Sequence, residues 1–243
     1  LNYYLDLSYA RMVGANLFQL TDETDHSDLI QLYTSSVFHI QPQFSVSAGL
    51  NLSHFTLNKE TLIEPRLAFQ YNLSEKVRMG IGLGRYSRIE PLNYYFARDE
   101  KGLVSNTDMK LPKSDQVQVG FDFFLSDQWH LKAEVYYHRL RDIAMIPDSN
   151  FSFINLENDW FVNKEFSSNG AGRNYGVDVT LERYLDNGFF GLLSSTYYRS
   201  QFRNEGAWQN TIYDNRVIAN LLVGKEWQVR KDNSLSISTR LIW

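Results

Sequence analysis

Few residues in this chain are arranged for covalent chemistry. The five histidines, His26, His39, His54, His130 and His138, fall into no metal-ligand spacing. Along one strand His130 and His138 would stand about 26 Å apart. The run 22–28, from Asp22 through Glu23, Asp25 and His26 to Asp28, offers hard oxygens for calcium. It lacks the glycine and closing glutamate of an EF-hand loop and reads first as a solvated loop. Gly170-Ala171-Gly172 precedes a strand pattern rather than a helix, so it lacks the dipole and amide array that hold phosphate; it reads as a loop signal. Glu134 and Asp142 share a strand face without a nucleophile beside them, and there is no cysteine for thiol or disulfide chemistry. These residues point to no catalytic group, no metal and no cofactor. For recognition the sequence offers aromatic surface: Tyr94, Tyr95, Phe96, Phe151, Phe153, Trp160, Phe161 and Trp208 lie in connecting segments. There they could stack on a sugar or a siderophore, or pack loop against loop.

The elements that would position those rings are strands. Trp129, Leu131, Ala133 and Val135 alternate with His130, Lys132, Glu134 and Tyr136, and successive strand residues point to opposite faces. Val117 to Leu125, Tyr175 to Leu181, Phe44 to Leu52, Leu67 to Leu73, Val77 to Leu83 and Val217 to Val223 repeat the pattern. Helical periodicity of comparable length is missing. The spacing predicts about eleven strands, near 1–17, 29–40, 43–55, 64–73, 76–87, 115–125, 129–143, 173–185, 189–200, 215–229 and 234–243. Gly80, Gly82 and Gly84 fall on the polar face, where small residues mark either a close approach from inside or a bend.

Connections take turns in length. Short links at 41–42, 74–76, 126–128, 186–188 and 230–233 alternate with longer stretches near 18–28, 56–63, 88–114, 144–172 and 201–214. An up-and-down barrel in an outer membrane has this asymmetry, with tight turns at its periplasmic end and elaborated loops outside. Eleven residues at about 3.3 Å, tilted about 40°, rise on the order of 28 Å, enough to cross the hydrocarbon layer. Strands of soluble proteins run about 5–6 residues.

Composition agrees. Aromatic residues make up 15% of the 243 residues, with 15 Tyr, 16 Phe and 5 Trp, as strands and interfacial girdles require. A mean hydropathy of -0.37 and the absence of long apolar runs argue against a membrane helix but not against a barrel, in which only alternate residues meet lipid. The net charge of -4 with dispersed Lys and Arg excludes a nucleic-acid footprint. The chain opens on Leu1 with no signal peptide, which suggests a processed or truncated product, and about eleven strands suggest part of a larger barrel.

Residues 169–183, Asn169-Gly170-Ala171-Gly172-Arg173-Asn174-Tyr175-Gly176-Val177-Asp178-Val179-Thr180-Leu181-Glu182-Arg183, resemble a strand opening common in TonB-dependent receptor barrels. Residues 64–96, from Glu64-Pro65-Arg66-Leu67 through Gly84-Arg85-Tyr86 to Pro91-Leu92-Asn93-Tyr94-Tyr95-Phe96, are similar to a hairpin of such receptors, especially of Bacteroidetes type. The resemblance implies an all-β, transmembrane, antiparallel up-and-down barrel of 22 strands, of which residues 1–243 would be a fragment without the plug domain. It implies an outer-membrane active transporter for a scarce nutrient such as a siderophore, cofactor or glycan. The implied partners are outer-membrane lipid, the plug and TonB complex, and an unidentified small-molecule or glycan ligand, with no nucleic acid. The chain lacks a plug-like stretch and a TonB box near Leu1. A passive porin or adhesin-like barrel, or a soluble β-sandwich that binds carbohydrate, are the competing readings.

Overall fold

Alternation becomes strand along nearly all of the chain that the computed structural model describes: residues 2–13, 16–97, 106–147 and 165–243, with side chains from residue 26 onward. The strands are β1 (Asn2–Val13), β2 (Asn16–Gln41), β3 (Phe44–Phe55), β4 (Glu60–Ser74), β5 (Val77–Ser87), β6 (Lys113–Phe124), β7 (Trp129–Met145), β8 (Ser167–Asp186), β9 (Phe189–Arg203), β10 (Gln209–Asn210), β11 (Val217–Arg230) and β12 (Asn233–Ile242). One short helix, α1 (Leu92–Tyr95), interrupts them. Chain neighbours pair antiparallel from β1 to β9 and on through β11 to β12, with β10 a two-residue addition to β9. This is a meander, the wall of an up-and-down barrel, and it is open: its path ends at β1 and β12. No helix among the described residues is long and apolar enough to cross a membrane, which says nothing about crossing by strands.

One ladder row shows how the sheet meets lipid. Phe38, Val46, Phe69, Ile81, Val119, Val135, Val177, Tyr197 and Val217 are cross-strand partners in succession over nine strands. All are apolar or aromatic and all lie on one face. Phe38, Val135, Tyr197 and Val217 are each more than half exposed, as a surface solvated by lipid rather than water requires. The same row climbs relative to the turns: Val46 is two positions from Phe44 at the turn end of β3, whereas Val217 is thirteen from Arg230 at the turn end of β11. Tilted strands closing into a barrel need such a stagger.

Several boundaries differ from the sequence-based expectation. Residues 2–13 and 16–28, expected as a strand (1–17) followed by a loop (18–28), form a two-stranded arm in which Asn2 pairs with Asp28 and Val13 with Asn16. The barrel part of β2 begins only where Leu29 meets Phe55 of β3. Polar residues can continue a ladder beyond the lipid because backbone hydrogen bonds do not depend on side-chain polarity. The 56–63 loop shrinks to a turn at 56–59, where Thr56 hydroxyl and amide both bond Asp28 carbonyl. The 144–172 loop is shortened from both sides, since β7 runs to Met145 and β8 starts at Ser167. Gly170 and Gly172 therefore lie inside a strand, contrary to their reading as a loop signal. A Cβ on Gly170 would come 2.5 Å from Met145 Cγ, so the glycine admits a close neighbour. Asp142, with φ 56°, sits in an irregular stretch of β7, and its carboxylate turns to Lys113 instead of sharing a face with Glu134.

Candidate lumenal site

Opposite the lipid face, the same register assembles a wall of small and polar residues. Gly49, Arg66, Gly84, Gln116, His138, Asn174 and Ser200 form one row, and Ser47, Ala68, Gly82, Gln118, Tyr136, Gly176 and Tyr198 the next. Below them run Ser45, Gln70, Gly80, Gly120, Glu134, Asp178 and Thr196. None carries a large aliphatic side chain, so this face is built for water or a polar occupant. The glycines have local causes. A Cβ on Gly84 would meet the Tyr86 ring at 2.9 Å, and that ring carries the Arg66 guanidinium 4.5 Å from its centroid. A Cβ on Gly82 would press on Gln118 at 3.0 Å, whereas one on Gly80 would reach Phe69 carbonyl oxygen only at 4.0 Å, an ordinary contact.

A cap closes over this wall at the long-loop end. Segment 88–97 and residues 106–112 fold onto the inner face, where Tyr95, Phe96, Leu92, Met109 and Leu111 bury against Leu29 of β2, Phe55 of β3 and Leu62 of β4. Phe55 and Tyr95 meet edge to face at 5.5 Å. Asn106 ties the cap across sequence: its amide donates to Tyr94 carbonyl at 3.1 Å and its oxygen accepts from Phe166 N–H at 2.8 Å. Lys113 Nζ bonds both Glu60 and Asp142 at 2.7 Å, joining β4, β6 and β7 at the cap margin. Glu64, nearly inaccessible beneath the cap, accepts from Asn51 amide and Ser87 hydroxyl.

Between cap and wall lies a cavity of about 720 Å³ bounded by Arg88 and Glu90 above and by Gln116, Tyr136, His138, Asn174, Asp178 and Tyr198 behind. Asn174 Oδ1 and Asp178 Oδ1 are buried without a hydrogen-bond partner among the described residues, so the wall behind the cavity holds two unsatisfied acceptors. Glu90 is buried but paired with the exposed Arg88 at 2.9 Å. Burial, only partly offset by Arg88, raises its carboxyl above the usual glutamate range. Burial likewise pushes the Tyr95 hydroxyl well above its ordinary value. The chemistry available here is hydrogen bonding and charge, with ring faces at the margin.

The aromatic residues read as ligand contacts separate by place. Tyr95 and Phe96 lie inside the cap core and Tyr94 packs against it. Trp208 sits on the outer side of the long-loop end, with Arg173 and Arg203 guanidinium carbons 4.3 and 4.7 Å from its rings. Phe151, Phe153, Trp160 and Phe161 lie outside the described residues, as do the side chains of Asp22, Glu23 and Asp25. Tyr136, His138, Asn174, Asp178 and Tyr198 were not singled out from sequence. Each occupies the polar alternate of a strand, which is a legible signal, but their convergence depends on the register of three strands.

Residues 2–239 match the family model described as TonB dependent receptor-like, beta-barrel. No curated protein matches the chain by sequence. In three dimensions it is similar to the ferric-catecholate import receptor Fiu from Escherichia coli K12, with TM-score 0.67 and 14% identity over 93% of this chain and 35% of that one. It is similar also to the siderophore receptor PirA from Pseudomonas aeruginosa, with TM-score 0.64 and 15% identity over 90% of this chain and 38% of that one. The copper transporter OprC gives TM-score 0.66 and 15% identity over 96% of this chain and 38% of that one. At such identities the likeness is one of fold, and the chain spans little more than a third of the length of these proteins.

Proposed function

The chain belongs to the TonB-dependent receptor β-barrel family, and from that premise we propose that it forms part of the wall of a transporter that takes up a scarce nutrient. Its place is the outer membrane. The observation that carries the reading is the pairing of two faces on one sheet: a continuous apolar row over nine strands outside and a polar wall under an inward-folded cap inside. A porin-like or adhesin-like barrel would share the outer row. The capped cavity, lined by polar side chains, favours capture of a ligand over free passage.

In this reading a plug domain fills the lumen against the small-residue track at Gly80, Gly82 and Gly120, and TonB energises release from inside. The long-loop end faces the medium. Ring faces in the long loops meet the ligand first, Trp208 and the 148–164 segment with Phe151, Phe153, Trp160 and Phe161 being the contacts proposed, and Tyr94 at the cap margin. The class of ligand is a polar one with several hydrogen-bond donors, a siderophore, cofactor or glycan. The Pro65-Arg66 hairpin supports a place among the Bacteroidetes-type members. No catalytic residue is assigned.

Fractionation of the full-length protein with surface proteolysis tests the orientation. Cleavage within 98–105 and 148–164 on intact cells, with the 125–128 and 187–188 turns protected, is the expected pattern. Recovery in the soluble fraction, or cleavage at the turns instead, overturns it. Energy-dependent uptake is tested by comparing growth on a limiting nutrient with and without TonB; equal growth rejects active transport.

A further inference from the structure

At the turn end of the lipid face, cations and rings are interleaved around a gap in the apolar surface. Trp129, Arg183, Gly191 and Val223 are cross-strand partners in succession, and Phe189 pairs with Lys225 in the row next to them. Arg183 lies 5.8 Å from the Trp129 ring centroid and 5.7 Å from that of Phe189. Lys225 Nζ lies 4.1 Å from Phe189 and 5.4 Å from Trp227. Neither cation is well neutralised. Arg183 touches Asp186 only at 3.5 Å, its buried Nε has no hydrogen-bond partner, and no carboxylate lies within ion-pair distance of Lys225 among the described residues.

The glycine between them leaves a space. At Gly191, where a Cβ would stand 3.3 Å from Leu222 carbonyl oxygen, a notch of about 290 Å³ opens on the sheet, walled by Leu181, Leu193, Leu221 and Val223 and rimmed by Trp129, Arg183 and Phe189. Arg183 at the rim of an apolar notch, with Lys225 next to it across the Phe189 ring, fits an amphiphile with an anionic head and a hydrocarbon tail. Ring faces hold the cations at headgroup level, where desolvation strengthens the attraction. Aromatic girdles need no weakly neutralised Arg and Lys flanking one ring, and they need no gap beneath them.

We propose that this surface is a binding site for an anionic glycerophospholipid of the periplasmic leaflet, its phosphodiester between Arg183 and Lys225 and one acyl chain in the Gly191 notch. The choice of leaflet rests on the orientation given under Proposed function, with the tight turns on the periplasmic side.

Native mass spectrometry of the full-length protein, challenged with equal phosphatidylglycerol and phosphatidylethanolamine, tests the proposal. Phosphatidylglycerol is expected to be retained preferentially. The double variant Arg183→Gln/Lys225→Gln should lower that preference on the order of thirtyfold, about one and a half decades for two surface charges. Arg183→Lys should keep most of it. Gly191→Leu should weaken retention of both lipids, because it fills the notch without changing charge. Heat-modifiable migration on gels shows that each variant folds. Equal retention of the two lipids by the native protein, or variants that retain lipid as it does, overturns the site. A third arm uses purified lipopolysaccharide: binding that competes with phosphatidylglycerol and needs Arg183 and Lys225 would assign the site to the other leaflet and overturn the proposal. The surface proteolysis reads orientation separately, so the two failures are distinguishable.

Discussion

At the residue scale, single side chains set how firmly the cap is held. Glu90 is buried with its carboxyl raised above the ordinary glutamate value, chiefly by desolvation. A raised folded-state value means that its contribution to the closed cap is complete below the unfolded glutamate value and is lost as pH rises through the folded one. Protease sensitivity of the 88–112 segment should therefore be greater at about pH 8 than at about pH 5, and Glu90→Gln should flatten that difference. A variant that retains the native pH profile would reject the assignment. Gly170 poses a different constraint, since a Cβ there would stand 2.5 Å from Met145 Cγ and 2.7 Å from Ile143 carbonyl. Gly170→Val should cost about 1–3 kcal/mol by overpacking, read as a lower unfolding midpoint in detergent. The polar run around Gly170 was legible in sequence, but its meaning was not: only the facing position of Met145 distinguishes a loop glycine from one that admits a neighbour.

At the scale of elements, β7 displays the division of labour between faces. Val135 points to lipid and is flanked by Val119 and Val177, while Glu134 next to it points inward beside Lys132 at 3.6 Å. Val135 lies six positions from the turn end of β7 at Trp129, near mid-membrane for a tilted strand. Val135→Arg should destabilise the barrel by about 2–4 kcal/mol. Glu134→Gln on the opposite face should leave folding within about 0.5 kcal/mol. Equilibrium unfolding of both in the same lipid checks the pair, and equal losses would contradict the assignment of faces. The alternation that predicts this was readable along each strand. The arm formed by β1 and the first part of β2 was not, because its residues carry the polar character of a loop and backbone pairing leaves no mark on composition.

At the scale of the whole molecule, the sheet is an open path with β12 exposed along its full length and, among the described residues, no pairing between β12 and β1. An unpaired edge in hydrocarbon leaves its backbone groups without partners, each costing several kcal/mol. Residues 1–243 expressed by themselves should fail to give a heat-modifiable species in lipid, whereas the same residues within the full-length protein should give one. A stable, heat-modifiable species from this stretch alone would show that it closes on itself or pairs with a second copy.

The sequence by itself determined the strand class, the two faces, the short turns at one end with the long connections 88–112, 146–166 and 204–216 at the other, and the family. These follow from a period of two and from the residues that lipid and water each accept, which are local properties. Register, and everything built on it, was decided only in three dimensions. Cross-strand pairing brings Tyr136, His138, Asn174 and Tyr198 to one wall, and it sets Arg183 and Lys225 around the gap at Gly191. The fate of the loop rings was also hidden. Tyr95 and Trp208 are alike as aromatic residues between strands, yet one is enclosed by Phe55 and the cap while the other lies between two guanidinium groups outside. A ring buries wherever apolar neighbours converge, and convergence is a property of the folded sheet rather than of the residues on either side in sequence.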